Sequence, residues 1–315
     1  MRIAVFGTGA VGGYFGGRLA QAGEEVVFIA RGEHLKALVR DGLRVDSPTA
    51  DFVVKPVKAT DDPAHVGVVD VVLVGVKAWQ VPEAAKAMRP LVGRETFVLP
   101  LQNGLEAPGQ LAAVLGDQHV LGGLCGLFGS LVGPGHIRLV DHGGKTFVRF
   151  GEMDNRRSER VERLQGAFMR AGVIAEIPPD IQVALWMKFL FVTPLGGVGA
   201  VTRAPVGVWR SLPETRRMAH QAVQEIMAVA VACKIALPED ATGKIMAMFD
   251  SLRPEVTSSM QRDVMEGRPS EVEALIGVVM RLGQDADVAT PLHAFIYHSL
   301  LPMELRARGR VEFPA

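Results

Sequence analysis

Several features that mark particular classes of protein are scarce in this chain. Only two cysteines are present, Cys125 and Cys233, which stand far apart and lack the spacing of metal ligands. The sequence therefore predicts reduced thiols, with neither a disulfide framework nor a metal site. The 34 basic and 34 acidic residues leave no net charge. Without a basic excess, a nucleic-acid partner is not expected.

Long uninterrupted apolar runs are also missing. The richest stretch, residues 181–201, contains Lys188, Pro194 and three glycines, so no membrane span is predicted. A predicted strand begins at the N-terminus and leaves no room for a signal peptide. The expectation is a soluble cytoplasmic protein with no membrane partner.

The first 31 residues contain a glycine pattern typical of a dinucleotide site. An apolar run over residues 3–6 stops at Gly7, and Gly9 and Gly12 complete G-x-G-x-x-G where a helical pattern begins. Gly7 would allow a tight turn, Gly9 would let the backbone approach a pyrophosphate, and Gly12 would let helix and strand pack closely. The alternative is a loop that merely connects strand and helix. The predicted cofactor contacts of this glycine loop, residues 7–12, are Gly7, Thr8, Gly9, Ala10, Val11 and Gly12.

The end of the second predicted strand favours NADP(H) over NAD(H). Where an NAD enzyme usually offers Asp or Glu to the ribose 2′-hydroxyl, this chain has Ala30 and Arg31. A guanidinium supplies several donors and a permanent positive charge, which suits a 2′-phosphate. The alternative is that Arg31 is a solvated residue at a strand end.

The two halves of the chain differ in pattern. In the first half, short β-branched runs alternate with helical patterns, as a parallel sheet covered on both faces requires. The predicted strands are residues 3–6, 26–29, 68–76, 96–101, 119–121, 147–150 and 173–177, and the run 136–140 suggests antiparallel hairpins on the same sheet. Helical segments follow, near residues 182–191, 213–234, 238–252, 260–265, 271–285 and 291–308.

A length of 315 residues fits two domains of ordinary size. We predict an α/β protein with a Rossmann-type parallel-sheet domain over residues 1–178, followed by an all-helical domain over residues 179–315. Stripes of Met and Leu in the second half are typical of a core or of a dimer interface. A homodimer is one interpretation.

Polar residues that directly follow predicted strands are candidates for ligand contact. Lys77 ends the run 68–76 in VGVKAWQ, and Asn103 follows the run 96–101 in LPLQNG. In an open α/β sheet, ligands lie beyond the carboxyl ends of the strands. Either residue alone could be an ordinary strand-end residue, but together they favour a polar substrate.

Lys188 is a candidate proton donor. On a helix it falls on the same stripe as Ile181, Leu185 and Val192, so its amine points toward apolar surroundings. One interpretation is a lysine whose ammonium reaches past them to water. The other is a general acid that protonates the oxygen left when hydride reaches a ketone carbon.

Ser259 and Glu271 lie in the first turns of two predicted helices. Two pairs beside them fit the capping-box spacing, Ser258 with Gln261 and Ser270 with Glu273. A first-turn serine is common, and a first-turn carboxylate is favoured by the helix dipole. Spacing alone therefore assigns neither residue to catalysis.

Taken together, these segments resemble the ketopantoate reductases (2-dehydropantoate 2-reductases) in order and at matching intervals over nearly the whole chain. The resemblance implies a Rossmann domain, a helical domain and an active site in the cleft between them. It also implies reduction of ketopantoate to pantoate with NADPH, a step toward pantothenate and coenzyme A. The segments are GTGAVGGYFGGRLAQAG, Arg31, VKAWQV at 76–81, QNG at 102–104, LWMKF at 185–189, and SSM followed by Glu271.

The resemblance also implies roles for individual residues. Lys188 would be the acid, and Glu271 would orient the substrate and keep the lysine charged. Ser259 and Asn103 would hold polar groups of the 2-oxo acid. Lys77 would lie near the nicotinamide ribose and the substrate. Both Lys77 and Asn103 are also expected to contact the cofactor. Arg31 would lie near the adenosine phosphate.

One departure puts the substrate in question. The family's helix usually carries asparagine four residues after the catalytic lysine and often four residues later again, but here Val192 and Gly196 stand at those positions. Both share the stripe of Lys188 if the helix continues past Pro194, which would ordinarily interrupt it. Loss of the amides would weaken recognition of a hydroxylated substrate, since unmet polar groups cost about 1–3 kcal/mol each.

Three interpretations follow from the departure at positions 192 and 196. The first is a reductase of ketopantoate, with a less polar 2-oxo acid as its rival substrate. The second is a non-catalytic NADP(H)-binding module with a decayed pocket. Retention of Lys188, Glu271, Asn103 and Lys77 argues against it. The third is another dehydrogenase, acting on hydroxy acids or opines, and the VKAWQ and QNG segments disfavour it.

Overall fold

The computed structural model describes residues 1–141 and 145–314. The chain divides into two compact units. The first comprises Met1–Gln102 and Glu106–Ile181, and the second comprises Asn103–Leu105 and Gln182–Ala315.

A five-stranded parallel sheet forms the centre of the first unit. The strands are β1 (Arg2–Phe6), β2 (Glu25–Ile29), β5 (Lys58–Thr60), β6 (Val71–Val74) and β7 (Phe97–Pro100). Their order across the sheet is β5–β2–β1–β6–β7, with every pairing parallel. This confirms the predicted parallel sheet for the runs 3–6, 26–29, 68–76 and 96–101.

Helices on both faces of the sheet explain why residues 3–6, 26–29 and 71–74 of the three central strands are apolar without interruption. The helices of the first unit are α1 (Ala10–Gln21), α2 (Gly32–Asp41), α3 (Val81–Ala87), α4 (Ala107–Leu115) and α5 (Glu159–Arg170). Ile3 and Val5 belong to one core cluster together with Phe15 of α1. Ala4 and Phe6 belong to a second cluster that includes residues of α3 and α4. Successive residues of a strand point to opposite faces, so a strand buried on both faces must be apolar throughout.

The remaining strands form two further sheets, and the prediction that residues 136–140 add hairpins to the parallel sheet is wrong. The strands are β3 (Leu43–Asp46), β4 (Phe52–Val54), β8 (Leu121–Gly126), β9 (Gly129–Gly133), β10 (His136–Leu139), β11 (Phe147–Glu152) and β12 (Ile174–Glu176). The second sheet has the order β4–β3–β10–β9, and β10 pairs parallel with β3 but antiparallel with β9. The third has the order β12–β11–β8, so the strands that overlap the predicted runs 119–121, 147–150 and 173–177 also lie outside the five-stranded sheet. A run of β-branched residues specifies a strand but not its partner, which is why these assignments failed.

Helices make up the regular structure of the second unit. They are α6 (Ile181–Thr202), α7 (Val206–Ser211), α8 (Pro213–Ala232), α9 (Ala241–Ser251), α10 (Ser259–Met265), α11 (Val278–Asp285) and α12 (Pro291–Ala307), with a π-helical turn at Glu273–Gly277 before α11. Within the described part of this unit no strand occurs. The predicted fold class, a Rossmann-type sheet domain followed by helices, is confirmed.

Helix α6 runs for 22 residues and contains Pro194 in its interior. Its length and composition would suffice to cross a membrane, but 67% of its most apolar 18-residue window is buried inside the protein. Because the helix does not end at the proline, Lys188, Val192 and Gly196 lie along one face, spaced four residues apart. The predicted segment 182–191 was therefore too short.

Candidate active site

The glycine loop after β1 has the shape of an anion cradle. Gly7 has φ +95°, and a Cβ there would lie 2.6 Å from both the backbone nitrogen and the Cγ1 of Val76. A Cβ at Gly12 would collide with the carbonyl oxygen of Gly7, whereas a Cβ at Gly9 would meet nothing within 4 Å. Ala10 begins α1, whose N-terminus has no side-chain cap and no acidic residue in its first turn. Backbone N–H groups at such a terminus attract anions.

Thr8 does not present its hydroxyl as a free group. The Oγ1 donates a hydrogen bond to the carbonyl of Ile29, at 3.1 Å, and the residue is buried. The carbonyl oxygen of Thr8 lies 2.8 Å from Nε2 of His34, in the first turn of α2. His34 was not identified as a candidate residue from the sequence. The available signal was its position three residues after Arg31.

Arg31 is exposed and stands at the N-cap of α2, just beyond the end of β2. Its guanidinium makes no hydrogen bond or ion pair with residues 1–141 or 145–314. The nearby acidic residue Glu33 is paired instead with Lys36, at 2.8 Å. A cation that has no counterion among the described residues is therefore available at this strand end.

The loop after β6 holds Lys77, and a buried glutamine supports that loop. The Lys77 ammonium lies 5.7 Å from the centroid of the Trp79 ring, a cation–π arrangement. Gln102, directly after β7, is buried, and its Nε2 donates to the carbonyls of Val74 at 2.9 Å and Val76 at 3.0 Å. Gln102 thereby fixes the backbone leading into Lys77. It too was missed, although it stands in the QNG segment.

Two residues that are 168 positions apart meet in the second unit. Nδ2 of Asn103 donates to Oε2 of Glu271 at 3.3 Å, and Glu271 is only 5% exposed. Gly104 follows with φ +96°, and a Cβ there would lie 2.9 Å from the carbonyl oxygen of Ala274 in the π-helical turn. The QNG glycine therefore allows the Asn103–Leu105 segment to lie against the turn that follows Glu271.

The residue before Glu271 is fixed by α12, and the capping box predicted for Ser270 and Glu273 is wrong. Glu304 accepts hydrogen bonds from the Ser270 amide at 3.0 Å and from its hydroxyl at 2.5 Å. Arg308 donates to Glu304 at 2.6 Å and to the Ser270 carbonyl at 3.1 Å. The Ser270 hydroxyl, which the spacing had assigned to a helix cap, thus donates to the buried carboxylate of Glu304 on α12.

Glu273 faces other partners. It forms an ion pair with Arg281 and accepts a hydrogen bond from Tyr297 Oη at 2.6 Å. Burial, followed by this hydrogen bond, raises the pKa of Tyr297 to about 12. The π-helical turn that begins at Glu273 is of a kind found frequently at functional sites.

Ser259 is half-buried at the first position of α10. The preceding Ser258 caps this helix, because its side chain accepts from the amide of Gln261 at 2.9 Å. The reciprocal half of the predicted capping box is absent, since Nε2 of Gln261 donates to the Ala204 carbonyl instead. Ser259 is therefore free of the capping role that its neighbour performs.

Lys188 is half-buried on α6. Its ammonium has no hydrogen bond and no ion pair within the part of the chain that the structure describes. Along the same face, Val192 is half-buried and Gly196 is buried. A Cβ at Gly196 would lie 3.0 Å from Cε of Met260. The space above Gly196 is therefore occupied by a methionine from α10.

Known proteins are similar to this chain in both sequence and fold. The family model described as "Ketopantoate reductase PanE/ApbA" matches residues 3–155, and its C-terminal counterpart matches residues 180–304. A 2-dehydropantoate 2-reductase of Nostoc sp. is 32% identical over 309 residues, covering 98% of this chain and 96% of the relative.

Solved structures agree with this similarity. The crystal structure of 2-dehydropantoate 2-reductase from Geobacter metallireducens GS-15 has a TM-score of 0.90 at 30% identity, covering 96% of this chain and 99% of that one. A ternary structure of D-mandelate dehydrogenase with NADH and anilino(oxo)acetate shares the fold, with a TM-score of 0.89 at 22% identity over 98% of this chain and 99% of that one. The chain therefore belongs to the ketopantoate reductase family and is an oxidoreductase of that family.

Proposed function

We propose that this enzyme reduces a 2-oxo acid with NADPH, with ketopantoate as the first candidate substrate and pantothenate biosynthesis as its context. The observation that carries the proposal is the pairing of Asn103 with buried Glu271. Two polar residues so far apart in sequence meet at the positions where the family resemblance expects substrate contacts. The pairing has no evident role as a helix cap.

The residues of the first unit fit a phosphorylated dinucleotide. The backbone of the glycine loop and the uncapped N-terminus of α1 would hold the pyrophosphate. Arg31 would hold the 2′-phosphate, because a permanently charged guanidinium that has no counterion in the described part of the chain matches that group. When bound, NADPH supplies the hydride. We propose that residues 1–178 serve as the nucleotide domain and residues 179–315 as the substrate domain.

Lys188 would donate the proton that the reduced carbonyl oxygen requires. Its ammonium is half-buried and has no counterion among the described residues, so its charge is not already neutralised. Such a group stabilises negative charge on oxygen and then releases a proton to it. In this assignment Lys188 is the general acid.

The remaining polar residues would orient the substrate. Glu271 would hold the substrate and favour the charged form of Lys188, while Asn103 fixes one carboxylate oxygen of Glu271. Ser259 would hold a polar group of the oxo acid with its hydroxyl. Lys77 would contact the nicotinamide ribose and the substrate carboxylate.

A second candidate, a less polar 2-oxo acid, is favoured by the face of α6 beyond Lys188. Val192 offers an isopropyl group, and Met260 fills the space beside Gly196. Neither can donate a hydrogen bond to a substrate hydroxyl. An apolar substrate side chain would lose nothing by meeting these groups, whereas a hydroxylated one would leave its hydroxyl without a partner.

The two candidates are separated by following NADPH oxidation with ketopantoate and with branched aliphatic and aromatic 2-oxo acids. Ketopantoate should give the highest kcat/KM if it is the substrate. A branched or aromatic oxo acid with higher kcat/KM would favour the second candidate, and Val192→Asn should then shift the preference toward ketopantoate. Binding of NADPH without turnover of any oxo acid would contradict the proposed activity.

A further inference from the structure

We infer that His34 is a positioning residue for the cofactor: in its neutral form, protonated on Nε2, it locks the glycine loop to the turn between β9 and β10. This inference rests on the proposed dinucleotide binding by the loop. It assigns a role to a side chain outside the glycine motif and to the second sheet. Neither of them contributes a group to the proposed reaction.

The two partners of His34 fix both its tautomer and its charge. The amide of Gly135 lies 2.9 Å from Nδ1 and can only donate, so Nδ1 must carry a lone pair. The carbonyl of Thr8 lies 2.8 Å from Nε2 and can only accept, so Nε2 must carry the proton. An imidazolium, which donates from both nitrogens, could not accept from Gly135. The ring is therefore neutral in this arrangement.

The surroundings of His34 agree with a neutral ring. Burial lowers the pKa of His34 below its ordinary value, although the hydrogen bond to Thr8 acts in the opposite direction. The side chain also lies in the first turn of α2, where the helix dipole disfavours a positive charge.

Through this bond Thr8 is held from both sides. Its hydroxyl donates to the Ile29 carbonyl at the end of β2, and its own carbonyl accepts from His34. Thr8 lies between Gly7 and Gly9, which are the loop positions with the greatest backbone freedom. Because Thr8 is held in place, the loop has one conformation before a pyrophosphate binds. Binding then costs less free energy, since the loop does not have to be ordered.

The other end of the link is equally well anchored. Gly135 has φ +70°, and its carbonyl accepts from the Arg44 amide of β3 at 2.8 Å. The next strand, β10, places Ile137 against Gly13 of α1, where a Cβ would collide with Cδ1 of the isoleucine. The second sheet thus packs on the helix that follows the glycine loop, and His34 joins that sheet to the loop itself.

The first test is direct NADPH binding, measured by fluorescence titration, for wild type, His34→Ala and His34→Gln. Loss of the bridge should weaken NADPH binding about three- to tenfold in His34→Ala. Glutamine carries an amide donor and a carbonyl acceptor, so His34→Gln should recover most of the affinity. In steady state, the KM for NADPH should rise in His34→Ala while kcat at saturating NADPH stays near that of wild type.

His119→Ala is the matched control. His119 also bonds a backbone carbonyl, that of Thr96 at 2.7 Å from Nδ1, and it too is half-buried in the first unit. Thr96 precedes β7, at the amino ends of the parallel strands, whereas the glycine loop follows the carboxyl end of β1. A loss of stability alone would act similarly in both alanine variants, so NADPH affinity should fall in His34→Ala and not in His119→Ala.

The second test is the tautomer of His34 in the cofactor-free protein, read from the nitrogen chemical shifts of the ring by NMR. The inference expects the Nε2–H form at neutral pH, and an Nδ1–H or imidazolium ring would overturn it. Unchanged NADPH affinity in His34→Ala, equal losses in His119→Ala, or no recovery in His34→Gln would also overturn it. If wild type binds no NADPH, the proposed cofactor fails and this inference fails with it; if wild type binds and His34→Ala binds equally, only the role of His34 is lost.

Discussion

In the proposed function, the two units contribute different chemical groups. The first unit would contribute mainly backbone, from a loop of six residues whose shape depends on a carbonyl, on amides and on the lack of side chains. The second would contribute the side chains of Asn103, Lys188, Ser259 and Glu271, which belong to four separate segments. The glycine loop should therefore be sensitive to added atoms, and the side chains of the second unit to removed ones.

The largest effect is expected from removing Lys188, the proposed proton donor of the second unit. Lys188→Ala should lower kcat about 10²- to 10⁴-fold, the usual range for a lost general acid. NADPH affinity should stay within about twofold of wild type, since the cradle lies in backbone of the other unit. Stopped-flow NADPH oxidation and fluorescence titration measure the two quantities. An active Lys188→Ala enzyme would remove the lysine from the mechanism and break the comparison.

Adding one methyl group to the glycine loop should give the next largest effect. Gly12→Ala would force a Cβ against the Gly7 carbonyl, so both the Tm and NADPH affinity should fall, with a cost in unfolding free energy of about 1–3 kcal/mol. Gly9→Ala is the matched variant, because its Cβ meets no protein atom within 4 Å. It should keep the Tm and lose only NADPH affinity. Equal melting temperatures for the two variants would contradict this account of the loop.

A smaller effect is expected at Arg31, the side chain of the first unit that is proposed to bind the 2′-phosphate. Arg31→Ala should weaken NADPH binding about 10- to 100-fold, the worth of a charged hydrogen bond, and leave NADH binding nearly unchanged. Arg40→Ala is the control on the same helix, since Arg40 is exposed and paired with Asp41 at 2.6 Å. Equal losses for NADPH and NADH would refute the 2′-phosphate assignment.

The smallest effect concerns the acid stability of the second sheet. Asp46 bonds His136 and also meets Arg44 and Arg138, and these contacts, that of His136 above all, lower its pKa to about 2. A carboxylate with a lowered folded-state pKa stabilises the fold above its ordinary pKa, and that stabilisation disappears as the pH falls toward 2. Chemical denaturation of wild type and Asp46→Asn between pH 5 and pH 2 should show their difference shrinking with falling pH. A constant difference would mean that the charge of Asp46 is unimportant.

Features whose pattern lies within one short segment of the sequence could be predicted, whereas contacts between distant segments could not. The order of strand, glycine turn, helix and strand over residues 2–29 was predictable because the whole pattern lies within one short segment. The sheet domain and the helical half were predictable from period and composition. The partner of β10 was not, since β-branched runs carry no information about which strand lies beside them.

Long-range side-chain partners escaped for the same reason. Ser270 matched a capping box locally, yet Glu304, 34 residues later, takes both its amide and its hydroxyl. Pro194 predicted the end of a helix, but α6 is buried over much of its length, and packing of the flanking turns offsets the lost backbone bond. The pairing of Asn103 with Glu271 was not predicted, because the family resemblance gave each residue a separate role and no spacing rule links them.

The grouping of Asn103–Leu105 with the helical unit has a practical consequence for dividing or recombining such chains. A fragment starting at residue 182 would contain Glu271 but would lack the amide that holds its carboxylate and the glycine that lies against the following turn. Hybrids that join the sheet half of one relative to the helical half of another should therefore take the three-residue insert from the donor of the helices. A division of the chain that keeps the second unit intact must therefore be made on both sides of residues 103–105 as well as after residue 181.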